Sequence, residues 1–236
     1  MAQATFCFPQ SDDKGSNWDK KYFGEIILGA SMPIGDFYNS DINNSKSGFA
    51  ETGGYLFASY GVVYNNILGY DFAVSTFFNP LNDTIGFLLR QVQAPLGYTY
   101  GYKYGQWFIL CFMTGPRISL PIRKFVFDFS ILGGIMFATK PYITQGLYSN
   151  GVLVYQFTNE KGHGAAFTIQ PGIGIRYSTS DFFDIMIYAN YIEGIPKIEY
   201  QVHSYSNGIY SVPHEIEYRQ PITTLNFGFG IIIKRE

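Results

Sequence analysis

Large apolar residues alternate with small or polar ones, at a period of two, through eight separate stretches of this chain. A repeat of two belongs to strands with two unlike faces. Strand one covers about Tyr22 to Ser31, strand two Gly54 to Tyr64 and strand three Ile67 to Phe78. Strand four ends near Leu120, and strand five follows from Phe125 to Thr139. Strands six, seven and eight cover about Ala166 to Tyr177, Phe182 to Tyr191 and Thr223 to Lys234. No stretch approaches the roughly 18 uninterrupted apolar residues of a membrane helix. The longest apolar runs, such as Ile131 to Ala138, are strand-sized.

Charged residues make up only 14% of the chain, too few to clothe a soluble surface but enough for a wall that faces lipid. Within lipid only helices and closed barrels satisfy the backbone, so strand-sized segments point to a barrel. The net charge of −2 comes with no basic stripe, which excludes a nucleic-acid partner.

Connection lengths alternate. Asn65-Asn66, Pro121-Ile122-Arg123-Lys124 and Ser178-Thr179-Ser180-Asp181 are short, whereas the links after strands one, three, five and seven are long. Short turns on one rim and long loops on the other are the asymmetry of an outer-membrane barrel. The expected fold is therefore all-β: a single eight-stranded antiparallel up-and-down transmembrane β-barrel with four long extracellular loops and short periplasmic turns. Residues 1–20 read as a polar periplasmic leader and residues 21–236 as the barrel. Ala2-Gln3-Ala4 reads as the tail of a cleaved signal peptide, which implies export to the outer membrane of a Gram-negative cell.

Loop one, Met32 to Ala50, is polar and rich in Asn and Ser. Loop two carries the apolar patch Ile85-Gly86-Phe87-Leu88-Leu89. Loops three and four contain Asn150-Gly151 and Asn207-Gly208, strong hairpin signals flanked by β-formers at Val152 to Phe157 and Ile198 to Val202. These loops are expected to project as hairpins.

Parity separates the faces. In strand six Phe167, Ile169, Pro171, Ile173, Ile175 and Tyr177 oppose Thr168, Gln170, Gly172, Gly174 and Arg176. Eight strands enclose little space, so the aromatic face is expected to meet lipid and the small, polar face to line the lumen. That lumen then holds Glu25, Asp71, Asp128 and Asp184 against Arg117, Arg176 and Lys234. Buried charges need partners, so these seven are expected to form a salt-bridged plug. Asp184 and Lys234, near strand ends, also fit a wet rim. A soluble lipocalin-like barrel would reverse the two faces.

Tyr98, Tyr100, Tyr102 and Tyr104 alternate in register with Phe108 and Leu110. They read as an interfacial girdle and its outward extension on strand four, or as an aromatic contact surface for sugars or a protein.

Catalytic and metal-binding patterns are weak. His163, His203 and His214 all fall in outward loops. His203 and His214, near Glu199, Glu215 and Glu217, have the residue types of a metal site but read as exposed loop residues. Ser204 and Ser211 lie near them, in loops rich in Ser. Cys7 and Cys111 lack disulfide or zinc spacing, and no cofactor is expected.

Gly29-Ala30-Ser31-Met32-Pro33-Ile34-Gly35-Asp36-Phe37, Gly48-Phe49-Ala50, Gly115-Pro116-Arg117 and Leu225-Asn226-Phe227-Gly228-Phe229-Gly230-Ile231 together resemble the OmpA-like, porin-family outer-membrane β-barrel domain. The resemblance covers roughly residues 22 to 234. It implies assembly by the outer-membrane insertion machinery, which reads a last strand usually ending in an aromatic residue. This chain instead ends Ile233-Lys234-Arg235-Glu236.

The expected function is that of a non-enzymatic outer-membrane protein with a polar, plugged lumen. It acts structurally, or as an accessory subunit of an envelope complex through its outward loops. Its expected partners are outer-membrane lipid, lipopolysaccharide and other outer-membrane proteins. A narrow porin or small-solute transporter and an outer-membrane enzyme are the alternatives.

Overall fold

A computed structural model describes residues 20–41, 43–82, 97–180 and 182–235. The leader with Cys7, and the apolar patch Ile85 to Leu89, lie outside the described residues. In chain order the strands begin with β1 (Lys20–Pro33), β2 (Gly53–Tyr64), β3 (Leu68–Pro80), β4 (Tyr98–Tyr104) and β5 (Gln106–Ile122). They continue with β6 (Phe125–Lys140), β7 (Ile143–Ser149), β8 (Val152–Asn159), β9 (Gly162–Ser178) and β10 (Phe183–Gly194). Then come β11 (Lys197–Ser206), β12 (Ile209–Tyr210), β13 (His214–Arg219) and β14 (Ile222–Arg235).

Eight of these strands form the wall. β1, β2, β3, β5, β6, β9, β10 and β14 pair antiparallel in that cyclic order. β14 returns to β1, from Tyr22 opposite Arg235 to Pro33 opposite Thr224, so the barrel is closed and has no free edge. Asn65, Asn66 and Arg123 turn the chain at the short rim with positive φ, a conformation that Asn tolerates better than most side-chain-bearing residues.

Every wall strand turns large apolar groups outward: Leu28, Tyr60, Phe72, Phe112, Ile131, Phe167, Ile187 and Phe229 are all exposed. The belt is continuous around the barrel and far larger than the apolar patches of a soluble monomer. A soluble barrel would turn this face inward, so the barrel spans a membrane. Near the short-turn end of this wall Tyr22 stacks with Tyr60 at 6.3 Å, Tyr70 meets Phe72 edge-on at 5.5 Å, and Phe125 meets Tyr177 at a tilt at 5.3 Å.

The lumen differs from expectation in its filling. Besides small and ionic groups it holds Phe57, Phe77, Trp107, Leu132, Met136, Met186 and Tyr188, all buried. Glycines on the neighbouring strand make the room. Gly172 faces the Tyr188 phenol so closely that a Cβ there has no space, and Gly174 faces the flexible end of the Met186 side chain, which a Cβ would push aside. A large group on one strand thus seats over a bare backbone on the next.

Beyond the wall, β13, β11, β8, β7 and β4 pair side by side as a sheet off the long-loop rim, and β12 joins β11. Its two hairpins turn at Asn150-Gly151 and Asn207-Gly208, all four residues at positive φ, as tight two-residue hairpins require.

Candidate functional site

The inward parity of the wall strands brings Glu25, Asp71, Arg117, Asp128, Arg176, Asp184 and Lys234 into the short-turn half of the lumen. They sit in three groups. Arg117 comes from β5 and reaches across the lumen. Its Nη2 donates to Glu25 Oε2 at 2.6 Å and its Nε to Asp71 Oδ2 at 2.7 Å. Its guanidinium lies 4.6 Å from the centre of the Phe23 ring, and the Ser59 hydroxyl donates to the same Glu25 oxygen at 3.1 Å. Two charge-assisted bonds therefore hold one fork between two carboxylates.

Arg176 forms the second group with Asp128. Nη2 donates to Asp128 Oδ1 at 2.7 Å, and Nε lies 2.5 Å from Oδ2. The Ser119 hydroxyl donates to Asp128 at 2.6 Å and accepts from Arg176 Nη2 at 3.1 Å. The third group lies at the short-turn mouth. Lys234 Nζ donates to Asp184 Oδ1 at 2.9 Å, to the Ser180 carbonyl at 2.7 Å and to the Ser178 hydroxyl at 3.4 Å. Asp184 is buried, while Lys234 is half-buried and meets solvent.

Neutral polar groups follow toward the long-loop side. Asn190 Nδ2 donates to the Tyr55 hydroxyl at 2.6 Å, and Asn226 Nδ2 donates to Asn190 Oδ1 at 2.8 Å. Phe57 and Tyr188 stack at 5.3 Å across the lumen. These side chains are almost wholly buried, so packed protein fills the lumen at this level.

Loop one supplies a feature that its polar composition hides. A short 3-10 turn, Gly35–Phe37, drops Phe37 into the long-loop mouth, where it is fully buried. Phe37 meets Trp107 edge-on at 5.4 Å, and Trp107 Nε1 donates to the Gly48 carbonyl at 2.9 Å. Ala50 bridges to Leu81, and Gln220 Nε2 donates to the Lys46 carbonyl at 2.8 Å. Loop one is a lid seated on Trp107. The sequence signal was the pair Phe37 and Phe49, isolated within Asn and Ser.

The tyrosine reading needs correction. Tyr98, Tyr100, Tyr102 and Tyr104 lie on β4, which pairs with β7 and not with the wall, so they form no part of a lipid girdle. Tyr104 opposes Ile143, whose side chain packs against the buried core. Trp107, three residues on in β5, is buried. The strand breaks at Gly105, between β4 and β5. Tyr100 and Tyr102 stack at 6.1 Å, and Tyr98 and Tyr104 are exposed.

The histidines do not converge. His203 Nδ1 lies 3.4 Å from Glu160, and His163 Nδ1 shares a hydrogen bond with the Thr139 hydroxyl at 3.2 Å. His214 pairs with Val202, which puts it on the opposite sheet face from His203. Ser211 accepts the Ser204 backbone N–H at 2.7 Å, and that bond holds the hairpin. Among the described residues no three His, Cys, Asp or Glu side chains are grouped to hold a metal.

No protein-family model and no curated protein matches the chain in sequence. Among solved structures it is similar to Neisserial surface protein A at 8% identity, covering 91% of this chain and 95% of that one, with a TM-score of 0.40. It is similar to Ail, the attachment invasion locus protein of Yersinia pestis, at 12% identity, with 91% and 98% covered and a TM-score of 0.41. A major outer membrane protein of Thermus thermophilus is similar at 9% identity, with 92% and 100% covered and a TM-score of 0.49.

Proposed function

We propose that this chain is a non-enzymatic, non-conducting integral protein of a Gram-negative outer membrane, exported with a signal peptide that is then removed. It acts structurally or as an accessory subunit of an envelope complex. The observation that carries this reading is the filled lumen: three ionic groups, an aromatic and amide layer, and the Phe37 lid follow one another along the barrel axis. A pore of this strand number has no spare cross-section once these layers are in place. The belt makes lipid and lipopolysaccharide its immediate surroundings. The projecting sheet, with Tyr98 and Tyr104 exposed, supplies the contact surface for other outer-membrane proteins.

The test is single-channel recording of the folded protein in planar bilayers. No stable openings are expected. Reproducible openings of fixed size would overturn the plugged reading and favour a narrow porin.

A further inference from the structure

The seam between β9 and β10 is interrupted in mid-wall. The two strands pair from Asp184 opposite Ser178 to Asn190 opposite Gly172, and resume at Glu193 opposite Ile169. Pro171 and Gln170 fall in the gap, opposite Tyr191 and Ile192. Beside it the outer surface opens into a groove of about 340 Å³ lined by Pro171, Ile173, Ala189, Tyr191, Leu225 and Phe227. We propose that this groove binds an acyl chain that carries a hydroxyl group, with the hydroxyl donating to the Tyr191 carbonyl. The proposal rests on the wall facing hydrocarbon, and it names the class of lipid that the wall selects.

Proline makes the gap. Pro171 has no N–H, so the Tyr191 carbonyl opposite it loses its ladder donor. The gap lies at hydrocarbon depth: exposed Phe167 and Ile169 flank Pro171 on one side along β9, and exposed Ile173 and Ile175 on the other. A bare backbone acceptor is costly there, because no water reaches it from the bilayer. The lumen side is closed too, since Gln170 and Ile192 behind the gap are fully buried. β5 and β6 are interrupted in the same way at Gly115 and Pro116. There the Ile131 carbonyl packs over Gly115 on the lumen side, where a Cβ would lie 2.1 Å from it. The Tyr191 residue instead borders an outer groove.

Groove and acceptor together select the occupant. Ala189 presents a methyl where its outward neighbours along β10, Ile187 and Tyr191, are large, so the floor is low. Ile173, Leu225 and Phe227 wall it with carbon. The space suits one alkyl chain and is too small for a helix about 10 Å across. A plain acyl chain fills it but leaves the carbonyl bare, and a headgroup donor cannot reach this depth. A hydroxyl partway along the chain supplies the missing bond in a place where water does not compete for it.

The experiment is native mass spectrometry of the full chain released from nanodiscs that mix two phosphatidylcholines in equal amounts. One carries a hydroxystearoyl chain with its hydroxyl near the middle, the other a stearoyl chain. Wild type is expected to retain the hydroxylated lipid about fivefold over the plain one, the weight of one hydrogen bond. Pro171→Ala returns an N–H to the pair with Tyr191 and should erase the preference. Ala189→Leu fills the groove and should erase it as well. Heat-modifiable gel migration and recovery of nanodisc-bound protein show that each chain is folded in the bilayer. Failure of wild type to insert would overturn the membrane reading and this proposal with it. Equal retention of the two lipids by inserted wild type, or a preference that survives either substitution, overturns this proposal alone.

Discussion

Arg117 on β5 and Glu25 on β1 are joined by a 2.6 Å hydrogen bond although β2 and β3 separate their strands in the wall. The bond spans the lumen, so it restrains the barrel's cross-section and not one strand pair. Arg117→Leu strips Glu25 and Asp71 of their shared cation and should destabilise the barrel by about 3–5 kcal/mol. Urea unfolding in lipid vesicles measures this, and Arg176→Leu should behave alike through Asp128. Combining Arg117→Leu with Glu25→Gln and Asp71→Asn should recover much of the loss, because no buried charge is then stranded.

The lid predicts a different phenotype. Phe37→Ala removes the side chain that fills the long-loop mouth, while Trp107→Ala also removes the donor to Gly48. Each should cost about 3–5 kcal/mol if the site does not collapse. Protease cleavage within loop one should accelerate with either variant, while the folded barrel keeps its heat-modifiable migration.

Glycine-to-alanine substitutions should sort by inter-strand packing. Gly172→Ala drives a methyl into the Tyr188 phenol, while Gly174→Ala meets the flexible end of Met186, which can swing aside. The first should cost about 1–3 kcal/mol by overpacking, and the second less. Gly24→Ala meets nothing within 4 Å and should lie close to wild type. Equal effects at all three positions would contradict the seating of large groups over bare backbone.

Tyr218, in the projecting sheet, has its phenol pushed well above the usual value near 10 by burial and by the neighbouring Tyr200. Its folded value lies above its unfolded one, so its stabilising contribution is complete below about pH 10 and is lost as pH rises through the folded value. Ultraviolet titration should show the late-ionising tyrosine absorbance reduced by one residue in Tyr218→Phe. The outward hairpins should loosen at alkaline pH before the wall does.

Most of the wall was legible because period-two alternation is local: Phe167 to Tyr177 declares its faces without reference to any other strand. Strand ends shifted by a few residues, as at β9, which starts at Gly162 and not Ala166. The parity rule also named seven residues that the structure brings into the lumen. The aromatic filling was less legible because its enabling partners are distant in sequence. Tyr188 makes sense inside only because its phenol packs against Gly172, sixteen positions earlier on another strand. The tyrosines of β4 misled for a local reason. Their alternation runs unbroken toward Phe108 in the sequence, while the strand breaks at Gly105 and β4 pairs with β7, off the wall.

The ionic groups at Glu25, Asp71, Arg117, Asp128, Arg176, Asp184 and Lys234 all belong to the short-turn halves of their strands. This skew bears on how a chain enters a bilayer. If the long loops lead, the apolar half of each strand crosses the hydrocarbon first, and these seven stay near the side of entry. Each then travels a fraction of the membrane's thickness and meets its counter-charge as the wall closes. The barrel's charges would be costly cargo at the leading edge. At the trailing edge they sit where partners assemble last.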